Sequence, residues 1–120
     1  MICYTFEMNT SPYFKNFDPD DFTEIAPNMG CLVSNRISKE GKVIRYMIRN
    51  DPVDPADSGW AFFSGIDEDE NYVNNPANFQ VFSLNTIANI DNSILPLIDS
   101  PIGTAHEKLP GQDSWVKVEG

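Results

Sequence analysis

Side chains alternate between apolar and mixed positions from residue 43 to residue 49, and this pattern restricts the fold most. Ile44, Tyr46 and Ile48 fall on one side of an extended strand, and the other side mixes arginines with Val43 and Met47. One apolar and one mixed side is typical of an antiparallel strand that packs on a single face. Residues 31–35 form a shorter apolar run, and a polar turn at 39–42 separates the two. We therefore expect residues 31–35 and 43–49 to form a hairpin.

The rest of the chain reads as short strands and short helices. Strands are predicted at residues 60–64, 79–82, 104–107 and 115–118, and residues 51–59 have the Pro, Asp and Gly content of a loop. Short helices are predicted at 19–26, at 68–73 and after Ser83, where Leu84, Ile87 and Ala88 share one helical face. A length of 120 residues fits one domain. The fold class is therefore α+β, with a mainly antiparallel sheet of short strands and one to three short helices.

Charge is distributed unevenly along the chain. The formal net charge is −10, yet residues 36–49 hold five basic side chains and one acidic one. Residues 50–107 hold ten acids and no Lys or Arg. This balance disfavours nucleic acid and anionic membranes as partners and favours a basic protein. The candidate partner-binding residues are Asp51, Asp54, Asp57, Asp67, Glu68, Asp69 and Glu70. The alternative is a solvated acidic surface that only aids solubility.

The chain carries no signal for a membrane or for secretion. It has no run of the roughly 18–20 apolar residues that span a bilayer, and its first residues lack a basic segment followed by an apolar one. We therefore expect a cytoplasmic protein. In that reducing compartment a disulfide between Cys3 and Cys31 is not expected.

Motifs for metal binding or catalysis are weak. Asp67, Asp69 and Asn71 match the opening of a calcium loop, but Tyr72 occupies the position where that loop needs glycine. The single histidine, His106, could approach Cys31 only through the fold, and neither a nucleophile elbow nor a phosphate-binding glycine loop is present. The sequence therefore predicts no catalytic site, no metal and no cofactor.

An aromatic pocket is the alternative kind of site. Trp60, Phe62 and Phe79 come from two predicted strands and could line a pocket for a small ligand. Trp60 by itself reads better as a core residue. A stand-alone regulatory or ligand-binding domain is thus the alternative to a protein-binding surface.

Five segments together resemble a known family. They are GCLVSNRI at 30–37, DSGWAFFSG at 57–65, YVNNP at 72–76, LNTIAN at 84–89 and DSPIGTA at 99–105. In this order they are similar to the bacterial immunity protein family thirty-three, over about residues 30–119. The resemblance implies a domain at 30–120 and an N-terminal extension at 1–29, which we expect to pack on that domain.

The resemblance also implies a role. Members of this family are regarded as small cytoplasmic proteins that bind and neutralise the cognate toxin of a polymorphic toxin system. No catalytic residues follow from it. From the residues themselves, Asn75, Asn85 and Asn89 are interpreted as turn and cap residues rather than ligands. The acidic stretch, residues 50–107, would then contact a basic toxin.

Overall fold

The computed structural model describes residues 19–65, 67–109 and 111–118. Six strands are present in this part of the chain: β1 (Gly30–Ser34), β2 (Tyr46–Arg49), β3 (Asp57–Phe63), β4 (Phe79–Ser83), β5 (Ala105–Lys108) and β6 (Trp115–Lys117). The α-helices are α1 (Asn35–Ser38), α2 (Glu70–Val73) and α3 (Leu84–Ile90). Short 3-10 helices cover Pro19–Asp21, Pro76–Asn78 and Asn92–Leu97. The N-terminal thiol, Cys3, lies outside the described residues.

All six strands belong to one sheet, in the order β4-β1-β3-β2-β5-β6. The β1–β3 pair is parallel and the other four pairs are antiparallel. The predicted α+β class, with a mainly antiparallel sheet and a few short helices, is therefore confirmed.

The predicted hairpin of residues 31–35 and 43–49 is wrong, because β3 lies between β1 and β2. The reason is local. The hydroxyl of Ser34 accepts a hydrogen bond from the backbone N–H of Arg36, so that the chain enters α1 as soon as β1 ends. Gly41 then takes a positive φ of 80° after this helix. The chain leaves the sheet between the two strands and returns on the far side of β3.

The core lies against one face of the sheet, here called the inner face. Met47, Trp60 and Phe62 point to it and are buried, together with Ile87 of α3 and Ile94 of the last 3-10 helix. Burying each such side chain contributes about 1.5–3 kcal/mol. The 3-10 helix and α3 therefore cover the inner face.

The structure begins β2 at Tyr46 instead of residue 43 and reverses the expected orientation of Tyr46 and Ile48, whereas Ile44, ahead of the strand, is buried in the core. Met47 is fully buried opposite Phe62, whereas Tyr46 and Ile48 lie on the other, outer face and stay partly exposed. The pattern could not identify the buried face, because both faces of this strand carry apolar residues. Pairing with β3 decides between them, and β3 places its largest rings on the inner face.

The helix after Ser83 is confirmed, and the helix predicted at 19–26 is limited to the 3-10 turn Pro19–Asp21. The hydroxyl of Ser83 accepts a hydrogen bond from the N–H of Asn85, as an N-cap does. Residues 22–29 have no helix and run along α3 instead, because side chains of α3 bind their backbone.

Candidate partner-binding surface

Three of the candidate acids lie at the start of β3. Asp54 accepts a hydrogen bond from the N–H of Ala56, and Asp57 accepts from the N–H groups of Val53 and Gly59. These are turn-forming contacts, and they leave the negative charge in place because the donors are neutral amides. Asp51 is exposed, and the described part of the chain offers it no hydrogen bond or ion pair.

The other four acids follow the end of β3. Glu68 accepts from the backbone N–H groups of Ser64 at 3.1 Å and Gly65 at 2.6 Å, which ties the chain back onto the strand. Asp69 is the N-cap of α2, with its carboxylate on the N–H of Tyr72. Asp67 and Glu70 are exposed, and their carboxylates make no hydrogen bond or ion pair within the described residues, although Asp67 interacts electrostatically with Arg36.

The structure therefore does not gather the seven candidates into one cluster. Asp51, Asp54 and Asp57 form a first acidic group, and Asp67 to Glu70 form a second one. The seven residues of β3 separate them, a length of about 20 Å at 3.3 Å per residue.

Most of the acids of residues 50–107 have no ion-pair partner within the described residues. Of its ten acids, only Asp91 pairs with a base in the described part of the chain, at 3.7 Å from the ammonium of Lys108. The nearby arginines bind carbonyl groups instead. Arg45 donates to Leu109 and Gln112, whereas Arg49 donates to Ser58 and Ser100.

A cavity of about 710 Å³ opens on the outer face of the sheet, beside the second acidic group. We call it the outer groove. Its floor comes from β2, β3 and β5, and its wall comes from the segment between β3 and α2. Its lining residues are Arg45, Tyr46, Ile48, Asn50, Phe63, Ser64, Gly65, Glu68, Val73, Glu107 and Lys108. The volume falls in the range of about 300–1,000 Å³ that is typical of ligand pockets.

A row of contacting aromatic rings leads into the outer groove. The rings of Tyr46 and Phe63 are 5.7 Å apart, and Phe63 contacts Phe79 edge-on at 5.6 Å. Tyr72 of α2 extends this row, because its ring centre lies 5.8 Å from that of Phe79. The rings thus form one continuous surface between the groove and the second acidic group.

The three residues proposed for an aromatic pocket lie on two faces of the sheet. Trp60 and Phe62 are buried in the core, where their rings stack 6.3 Å apart. Phe79 lies on the outer face with Phe63. The groove uses Phe63 and Tyr46 instead. The alternation along β3 separates Phe62 from Phe63, but only the strand order shows which face is covered.

Cys31 and His106 do not form a catalytic pair. They lie on β1 and β5, which β3 and β2 separate, so about 14 Å lies between them at 4.8 Å per strand. Burial raises the pKa of the Cys31 thiol to about 12, and the thiol donates to the carbonyl of Phe82 at 3.3 Å. Burial, with a smaller effect of the Lys117 charge, lowers the pKa of His106, whose Nε2 lies 3.2 Å from the hydroxyl of Ser100.

Neither a metal centre nor a membrane span is found in the part of the chain that the structure describes. No three His, Cys, Asp or Glu side chains there are grouped so that they could hold a metal ion. No helix there is long and apolar enough to cross a bilayer.

Comparison with known families identifies the domain. The family model described as Immunity protein Imm33 domain matches residues 31–119, about three quarters of the chain. The chain belongs to this family. No curated protein and no solved structure matches it significantly. Membership supports a general role as an immunity protein and is consistent with the resemblance seen in the sequence.

Two asparagines of the Imm33 domain have a role that sequence reasoning missed. The side-chain oxygen of Asn85 accepts from the N–H groups of Ile25 at 2.9 Å and Ala26 at 3.0 Å. Asn89 donates to the carbonyl of Thr23 at 2.9 Å. Both therefore hold a segment that precedes the matched residues. Their spacing of four, on the helix face next to the core residues, is the signal that could have indicated a shared contact. Asn75 does cap a short helix as expected, accepting from the N–H of Ala77.

Proposed function

We propose that this protein is a non-enzymatic immunity protein, which binds and neutralises a cognate bacterial toxin in the cytoplasm through its acidic surface. The observation that carries the proposal is the negative charge of residues 50–107, where one acid in ten forms an ion pair within the described residues. Membership of the Imm33 family supports the immunity role.

A basic toxin surface is the complement that this charge distribution favours. Toxins that act on nucleic acids need basic surfaces to bind a polyanion, and an acidic inhibitor can occupy such a surface. Opposite net charges also accelerate association, because long-range attraction steers the two proteins before contact. Within the two acidic groups, Asp51, Asp67 and Glu70 are exposed and make no side-chain hydrogen bond or ion pair with the described residues.

Co-expression tests the immunity role. The toxin domain encoded beside the gene for this protein is expressed in a bacterial host, alone and together with this protein, and growth is measured. Growth arrest by the toxin and rescue by this protein are expected. Arrest without rescue would contradict the proposal for that toxin.

A matched pair of variants tests the acidic surface. One variant combines Asp51→Asn, Asp67→Asn and Glu70→Gln. The control combines Asp21→Asn, Glu24→Gln and Asp113→Asn, which removes the same charge from exposed positions outside residues 50–107. Weaker toxin binding is expected for the first variant only. Equal binding by both would mean that net charge alone, or another surface, is responsible.

The outer groove supports a second candidate function, the binding of a small ligand by a stand-alone domain. Its volume and its apolar and aromatic lining are those of a ligand pocket. A small molecule that copurifies with the protein and shifts the amide signals of Phe63 and Gly65, together with failure of rescue, would favour this candidate.

A further inference from the structure

We propose that the outer groove binds an arginine-bearing peptide segment of the protein partner, with Glu107 pairing with the guanidinium and the rings of Tyr46 and Phe63 covering the side-chain stem. The inference rests on the proposed function in one respect, because it takes the partner to be a basic protein. It adds the site and the chemical group that is recognised.

Among the charged residues that line the groove, Glu107 is the one whose side chain makes no hydrogen bond or ion pair with the described residues. It is half-buried on β5, directly opposite Tyr46 on β2. Within the described residues its carboxylate has no hydrogen bond and no ion pair. A partly buried carboxylate that lacks a partner gains most from a ligand able to donate two N–H groups to it, as a guanidinium does.

The other charged residues of the groove are engaged elsewhere. The ammonium of Lys108 pairs with Asp91 and lies 5.0 Å from the ring of Trp115, and its side chain is only 8% exposed. Arg45 donates to two backbone carbonyls, and Glu68 accepts from two backbone amides. A ligand's charge would therefore meet Glu107 first.

The lining suits the rest of an arginine side chain. Tyr46 and Phe63 form a tilted aromatic pair at 5.7 Å, and Ile48 and Val73 add apolar surface. A guanidinium stacks on aromatic faces while it binds a carboxylate, and its stem favours apolar contact. Lysine lacks the planar group that does both.

The charge around the groove selects a basic occupant. Asp67 lies in the segment that forms the groove wall and Glu70 begins α2 directly after it; both are exposed and lie next to the lining residues Gly65 and Glu68 in the sequence. Arg36 interacts electrostatically with Asp67, but its guanidinium is already paired with Glu40 at 2.7 Å. An acidic peptide would be repelled by the negative charge of Asp67 and Glu70, whereas a basic one would be attracted to it.

A peptide titration tests the site without any toxin. The full protein is labelled with ¹⁵N and titrated with an acetylated, amidated peptide, Ala-Ala-Arg-Ala-Ala, and with the same peptide carrying neutral citrulline instead of arginine. The arginine peptide is expected to shift the amides of Tyr46, Phe63 and Gly65, and to bind about tenfold more tightly than the citrulline peptide. Equal binding by the two peptides, or shifts confined to other surfaces, would overturn the inference.

Variants locate the contact. Glu107→Gln should lower the affinity for the arginine peptide about tenfold, and Tyr46→Leu should lower it about threefold by removing the aromatic face. Asp99→Asn removes the same charge from an exposed position outside the groove and should change affinity less than about twofold. The amide spectrum shows that each variant is folded. A similar loss in Glu107→Gln and Asp99→Asn would overturn the inference.

The outcome can be separated from that of the proposed function. If the wild type rescues growth but does not bind the arginine peptide, the proposal that the groove binds arginine is overturned and the immunity role is unaffected. Peptide binding in the groove without rescue would support the groove and contradict the immunity role for that toxin. With both established, Glu107→Gln should also weaken toxin binding more than Asp99→Asn does.

Discussion

Asn89 binds the backbone of Thr23 in both directions. Its carboxamide accepts from the N–H at 3.1 Å and donates to the carbonyl at 2.9 Å, so that the side chain pairs with Thr23 as a neighbouring strand would. The side-chain oxygen of Asn85 accepts from the N–H groups of Ile25 and Ala26. These contacts join residues 23–26 to α3. That the whole N-terminal extension of residues 1–29 packs on the domain stays a prediction.

Asn89→Ala should therefore destabilise the protein. Two hydrogen bonds to Thr23 are lost, at about 0.5–1.5 kcal/mol each, so the free energy of unfolding should fall by about 1–3 kcal/mol. Urea denaturation measures this change. Asn71→Ala is the control, since Asn71 is exposed and its side chain makes no such contact; it should change stability by less than about 0.5 kcal/mol. Equal effects of the two substitutions would show that the contact with Thr23 contributes little.

Gly59 should tolerate no side chain. Its φ is +86°, and an added Cβ would collide with the carbonyl oxygen of Asn50 on the adjoining end of β2. Gly59→Ala should lower the free energy of unfolding through two effects: about 1–2 kcal/mol from the left-handed backbone and about 1–3 kcal/mol from overpacking. Gly103→Ala separates the two effects, because Gly103 has a φ of +94° with no atom near the added Cβ. Thermal unfolding should show the larger loss at Gly59. A loss at Gly103 as large as that at Gly59 would contradict the collision.

Cys31 should make the fold less stable at alkaline pH. Its pKa is raised by burial to about 12 from an ordinary value of 9.0. Between those values the unfolded state loses the thiol proton and the folded state keeps it, so stability falls by up to about 1.4 kcal/mol per pH unit. Urea unfolding from pH 8.5 to 10.5, with a reductant, compares Cys31→Ala with the parent. The variant should show the shallower decline, and identical slopes would contradict a buried, protonated thiol.

His106 should titrate below the usual histidine range. Burial and, to a smaller extent, the charge of Lys117 lower the pKa of His106. The unfolded state therefore binds the proton first as pH falls, and stability decreases with pH below about 6.5. Proton NMR of the ring follows the titration directly. A midpoint at or above 6.5 would contradict the placement of the ring on the inner face of the sheet.

Local chemistry made several elements predictable. Ser83 ahead of an apolar i, i+3, i+4 pattern predicted α3, and the aromatic run at 60–64 predicted most of β3, because in both cases short-range preferences agree with burial. The loop predicted at 51–59 agrees with the same local chemistry, because Asp54 and Asp57 accept hydrogen bonds from backbone N–H groups two residues further along the chain.

Strand order and face could not be predicted in this way. The parallel pairing of β1 with β3 depends on contacts across 28 residues, such as the bond that the Ser58 hydroxyl donates to the Gly30 carbonyl. Tyr46 and Ile48 look like core residues locally, and only β3 decides that Met47 takes that place. The outer groove was missed for the same reason, since Tyr46 and Ile48, which the pattern assigned to the core, are part of its floor.

The association rate of this protein with its toxin, measured as a function of salt, tests the central claim most directly. If an acidic surface steers a basic toxin, the rate constant should fall at least about tenfold between about 50 mM and about 500 mM NaCl, and the Asp51, Asp67 and Glu70 triple variant should show a smaller fall. An association rate that is the same at both salt concentrations, in a complex that still neutralises the toxin, would contradict the account.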